Sequence, residues 1–152
     1  MYETYTRQPL PSKEYRELLG SAICVFNANT SFIIENLMSV NEKLSWYTLM
    51  DQTSGKLFQE IEKTLNPIDA DILSQYKELT EKRNRIIHGF PGTENGIQIL
   101  FTKTKHPDNE QFLITKQFLM EFIKLNEEFC DKLHNLRVAL KSSTNKEPES
   151  TT

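Results

Sequence analysis

The segment EKRNRIIHGFPG, Glu81 to Gly92, sets an arginine, an asparagine and a histidine, Arg83, Asn84 and His88, just ahead of a glycine. Asn84 and His88 are four residues apart and share a face if the segment is helical. From there the Asn84 amide can hydrogen-bond an imidazole nitrogen and fix the ring's orientation and tautomer. Arg83 lies about 140° from His88 around an ideal helix, and its long side chain can still bend toward a phosphate held near the ring. Arginine offers a planar, permanently charged fork for phosphate oxygens. Histidine, with an ordinary pKa of about 6.5, moves protons near neutral pH. A phosphate clamp, a proton carrier and an orienting amide are the parts needed when an RNA 2′-hydroxyl attacks the adjacent phosphate without metal assistance. The same residues also have a plainer use. Cations in a helix's last turn complement its negative end, and glycine commonly follows. Lys82, Arg83, Arg85, His88 and Gly89 satisfy that rule with no chemistry at all.

These residues need a helix to carry them. NPIDADILSQYKELTEKRNRIIHGF reads as the clearest one: Asn66 at the N-cap, Pro67 at the first position, Asp69 and Asp71 at the positive end. Ile72, Leu73, Tyr76, Leu79, Arg83, Ile86 and Ile87 trace its inner face, and Gly89 and Pro91 stop it. Residues 1–11 read as an arm, with Ser12 capping a long helix to about Val40 whose weak point is NANTS, Asn27 to Ser31. Trp46, Leu49 and Met50 are expected on the core. Thr53 or Ser54 opens a further helix with Leu57, Phe58, Ile61 and Leu65 on one face. GIQILFTKTK and QFLIT alternate with period two around the turn-rich HPDNE and predict a β-hairpin. Thr115 then caps a last helix to Leu140 with a broad apolar stripe, and 141–152 form a polar tail expected to be disordered. The fold class is therefore mostly α: an up-and-down bundle of four to five helices over 12–140, with a small β-hairpin before the last long helix.

Composition restricts the function classes. A chain of 152 residues, 38% hydrophobic and 26% charged, fits one soluble domain. No uninterrupted apolar run approaches the roughly 18 residues of a membrane span, and the polar N-terminus shows no export signal. Cytoplasm is the expected compartment, with no membrane partner. Cys24 and Cys130 are expected as small, buried, reduced side chains. The net charge of −3 excludes a protein that coats nucleic acid by charge alone, so any RNA contact is local. One local basic group is Lys77, Lys82, Arg83, Arg85 and His88, diluted by Glu78 and Glu81. Glu81 and Arg85 are spaced as a surface ion pair. Neither metal-ligand spacing nor a cofactor motif is legible. His106 reads as solvated, His134 as a surface or edge residue.

The string RNRIIH resembles the hallmark of the HEPN superfamily, R-x4–6-H with a polar residue directly after the arginine. Bundle size, the motif's place at the end of a helix in the second half, and the TSGKLFQEI opening before it agree with that family. The resemblance implies a metal-independent RNA endonuclease of the toxin or anti-phage type. It implies His88 as acid/base group, Arg83 as phosphate contact and Asn84 as polar partner. Beside these, Lys82 and Arg85 of the local basic group, and Phe90 by stacking on a base if it does not pack at a dimer cleft, are the expected RNA contacts. The resemblance also implies a homodimer with two motifs across one cleft, and an antitoxin or regulatory protein as a further partner. HEPN toxins silenced by a nucleotidyltransferase antitoxin continue the motif as H-x-Y. This chain has Phe90 there, which puts that route of control in doubt. The competing expectations are a non-catalytic HEPN-like dimerisation or binding module, and a helical adaptor unrelated to RNA.

Overall fold

The computed structural model describes residues 2–65 and 70–144. Within them the chain forms α1 (Lys13–Val40), α2 (Trp46–Met50), α3 (Ser54–Leu65), α4 (Ala70–Ile87) and α5 (Lys116–Thr144), with strands β1 (Phe90–Glu94), β2 (Ile97–Lys103) and β3 (Gln111–Ile114) between α4 and α5. This is the expected class, mostly α with a small β insertion before the last helix. The caps expected at Asn66, Pro67 and Asp69, and the tail beyond Thr144, lie outside the described residues. Helix α5 itself continues past the expected end at Leu140. The arm begins with a 3₁₀ turn over Tyr2–Tyr5 and is fastened to α1. Arg16 binds Glu3 at 2.8 Å and donates to the Pro11 carbonyl at 2.6 Å.

Helices α1 and α5 pack side by side in the same direction. Their partners keep step: Asn29 with Asn126, Asn36 with Leu133, Glu35 with Arg137. Helix α4 runs the opposite way along α5, so that Asp71 meets Lys132 while Lys82 meets Phe118. Tyr76, at the middle of α4, stacks between Phe26 and Phe129, and Phe122 stacks on Phe26. These rings, with Ile33, Ile34, Leu37, Ile61, Ile72, Leu79 and Leu133, make one contiguous core. Burying them is the main favourable term in folding.

Helix α1 runs unbroken through its weak point NANTS, as the single long helix expected to about Val40; three other expectations change. Asn29 is buried there, and its amide donates to the Asn126 carbonyl at 2.7 Å and to Asn126 Oδ1 at 3.2 Å. A satisfied buried amide carries no penalty against the helix. Interrupted or not, α1 is also long and apolar enough by length and composition to cross a membrane, with a window of mean hydropathy 1.3. Counting unbroken runs missed this; Ala22, Phe26, Ile33, Ile34 and Leu37 of that helix lie in the bundle core. Trp46 and Met50 stay 41% and 40% exposed, because the five-residue α2 turns a single side, Leu49, to the core. Finally, Cys24 is exposed and Cys130 half-buried, both free.

The sheet has three antiparallel strands rather than two. β1 and β2 meet through Asn95-Gly96, whose positive φ values of 50° and 78° make the two-residue turn that suits the strands' twist. β2 and β3 pair from Leu100↔Ile114 to Lys103↔Gln111. Tyr15 ties this sheet to α1: its hydroxyl donates to the Ile114 carbonyl at 2.7 Å and accepts from the Leu100 amide at 3.4 Å. Burial raises the Tyr15 pKa, with the Leu100 amide opposing, so the phenol remains the neutral donor this bridge needs.

Candidate active site

Helix α4 carries Lys82, Arg83, Asn84 and Arg85, while His88 follows its end and Phe90 opens β1. The rotation of α4 is fixed by Ile72, Tyr76, Leu79 and Ile86, all buried. That leaves Lys77, Glu81 and, past the helix end, His88 exposed, and Arg83, Asn84 and Arg85 partly so.

Arg83 turns toward α3. Its guanidinium donates to the Ser54 hydroxyl at the first residue of that helix and lies 5.0 Å over the Phe26 ring. Its Nε is buried without a hydrogen-bond partner. The positive charge also opposes the upward shift that burial gives the Tyr76 hydroxyl. Arg83 and Asn84 line a cleft of about 420 Å³ with Gln52, Thr53, Ser54 and Gly55. The Gln52 side-chain oxygen is likewise buried and unpartnered.

His88 is the first residue beyond α4. Its amide still donates to the Asn84 carbonyl at 3.1 Å, but its ring is exposed. It lines a different cleft of about 280 Å³, with Arg85, Thr102, Lys103, Thr104, Lys105 and His106. Within one chain, therefore, no side-chain hydrogen bond joins Asn84 to His88, contrary to the four-residue spacing. The reason is the helix end. The chain turns at Gly89, where an added Cβ would sit 3.0 Å from the Ile86 carbonyl and 3.1 Å from the Ile114 methyl. That packing takes the backbone off α4 and onto the sheet.

The expected RNA contacts fare differently. Arg85 donates to the Lys103 carbonyl and makes no ion pair with Glu81, so part of its fork holds the sheet against α4. Lys82 stands between Glu78, at 3.7 Å, and the Phe118 ring, 5.7 Å below it. Phe90 stacks on Phe101 with centroids 6.0 Å apart and keeps 37% of its surface exposed. Gly92 makes room for that stack; a Cβ there would come within 2.4 Å of the Phe101 ring. His134 packs edge-on against Phe32 at 4.6 Å, at the rim of the α1–α5 seam.

Sequence reasoning missed Lys103, Lys105 and His106. The β2–β3 connection brings them over α4, and Lys105 lines three adjoining clefts. The signal was present in TKTKHPD, where two lysines alternate at the end of a strand. With these residues the clefts around α4 are lined by the cations Lys77, Lys82, Arg83, Arg85, Lys103 and Lys105 and by one carboxylate, Glu81. A chain of net charge −3 thus gathers positive charge on one face. Among the described residues no three His, Cys, Asp or Glu side chains cluster as a metal site would require. No family model, curated protein or solved structure matches the chain.

Proposed function

We propose that this chain is a HEPN-type endoribonuclease that cuts RNA by 2′-hydroxyl attack on the adjacent phosphate, without a metal ion. The observation that carries the proposal is convergence. Asn84, Arg85 and His88 share clefts with Lys103, Lys105 and His106 of the β2–β3 segment, so that cations gather there in an acidic chain. Such a cluster concentrates a polyanion locally. Arg83 holds a phosphate oxygen through the part of its fork not given to Ser54. His88, exposed and free of side-chain partners, transfers the proton.

Transesterification needs a base for the 2′-hydroxyl and an acid for the leaving oxygen. One chain offers one motif histidine, so the active form is a two-fold dimer with both His88 rings at a shared cleft. Ile87 and Phe90, exposed on either side of His88, supply apolar anchors for that seam.

A specific observation favours a second reading, a non-catalytic binding module. Arg83 already has structural partners in Ser54 and Phe26, and His88 opens into a different cleft. One assay separates the two. Wild-type protein is expected to cut single-stranded RNA in EDTA, leaving 2′,3′-cyclic phosphate ends. His88→Ala should lose about 10²–10⁴ in rate with an unchanged melting curve. Equal cleavage by both proteins, or cleavage that stops in EDTA and returns with Mg²⁺, overturns the proposal.

A further inference from the structure

An aromatic-lined cleft beside α4 has no role in the cleavage step. It holds about 410 Å³, within the range of small-ligand pockets, between the outer side of α4, the start of α5 and the β2–β3 loop. Its floor is Phe112 and Phe118, half-buried, with ring centroids 6.3 Å apart. Its rim is Lys82, Arg85 and Lys105, and the exposed Glu81 carboxylate stands among them. Among the described residues Glu81 has no salt-bridge or hydrogen-bond partner, although cations line the same cleft. Lys82 is engaged by Glu78 and Arg85 by the Lys103 carbonyl, so the Glu81 carboxylate stays open to solvent or to a ligand.

The position of this cleft matters as much as its lining. It shares Arg85, Thr104 and Lys105 with the cleft of His88. It shares Glu81 and Lys105 with the cleft of Asn84. A nucleotide bound here therefore adjoins the clefts of His88 and Asn84. Aromatic floors bind unstacked bases, and cationic rims bind the connecting phosphates. An ammonium or guanidinium rim alone would take any base. A carboxylate is selective, because it only accepts hydrogen bonds. Of the four RNA bases, guanine alone presents two adjacent N–H donors on its Watson–Crick edge, N1–H and N2–H. These match the two carboxylate oxygens. Adenine and cytosine each set one lone pair against the carboxylate, and uracil flanks its single N–H with two carbonyls.

We propose that the Phe112–Phe118 cleft is a base-recognition subsite that takes a guanine adjacent to the cleaved phosphate, with Glu81 as the specificity-determining residue. This rests on the ribonuclease reading above, and the test keeps the two separable. Short single-stranded RNAs that differ only in one base, G, A, C or U, are compared in two ways: cleavage by wild-type protein, and binding to the His88→Ala protein by fluorescence anisotropy. A preference for G of about tenfold is expected in both. Glu81→Gln should erase the ratio between bases, and Phe112→Ala should weaken binding of all four. Equal cutting and binding whatever the base, or a G preference that survives Glu81→Gln, overturns the subsite and leaves the ribonuclease standing. G-selective binding that Glu81→Gln abolishes, in a protein that cuts no RNA, supports the subsite and removes the nuclease. No binding and no cutting removes both.

Discussion

Two polar regions of this protein are handled in opposite ways. In the seam between α1 and α5, every buried amide is matched. Asn29 binds Asn126, the Asn126 amide donates to Phe122 at 2.8 Å, and Asn36 donates to Leu133 at 3.2 Å while accepting from Arg137 at 2.9 Å. At the corner where α3 begins and α4 ends, the Arg83 Nε and the Gln52 oxygen are buried with no partner, and His88 is exposed with none. Buried polar groups are normally paired, and an unpaired one costs stability. The seam uses its polar groups to set the register of two long helices. The corner keeps unused hydrogen-bonding capacity, as Gln75 and Thr80 do elsewhere on α4.

The contrast predicts a separation of effects. The largest concerns the shared cleft. If both His88 rings serve one cleft, a heterodimer of wild type with His88→Ala is expected to be nearly inactive. Half activity in purified mixed dimers would mean that each chain holds a complete site. An active monomer in sedimentation would remove the shared cleft altogether. Next in size is Arg83→Lys. A lysine keeps the charge but cannot span two phosphate oxygens, so cleavage should fall on the order of tenfold or more. Full activity in that variant would mean the arginine serves only as a positive charge, as the helix-end rule requires. The smallest effect on activity belongs to the seam. Asn29→Ala leaves Asn126 short of a donor and should lower stability by about 1–3 kcal/mol in urea unfolding, with no change in kcat for RNA. A seam variant that lost activity without losing stability would erase the distinction between the two regions.

Much of the architecture was legible before the fold was known, because it is written in local chemistry. Apolar residues at helical spacing located α1, α3, α4 and α5. Ser12 and Thr115 act as caps as expected, accepting from the Tyr15 amide at 3.2 Å and the Phe118 amide at 3.0 Å. β1 was legible too: Asn95-Gly96 is a strong hairpin signal, overlooked because Phe90-Pro91-Gly92 reads as a helix stop. The length of α1 was read correctly, but what holds it together at NANTS was not legible. Whether NANTS breaks depends on Asn126, 97 residues away from Asn29.

The same division holds at the site. The sequence by itself determined the motif's residue types, their place at the end of a helix, and the short range over which they could act. Only the tertiary structure decided that Arg83 turns to Ser54 while His88 opens toward the sheet. It alone brought Lys105 and Phe112 beside Glu81. The physical reason is that periodicity and capping act over one or two helical turns. Which loop closes over α4 is set by the packing of Ile114 against Gly89 and by the Tyr15 bridge to the strands, contacts that no local pattern encodes.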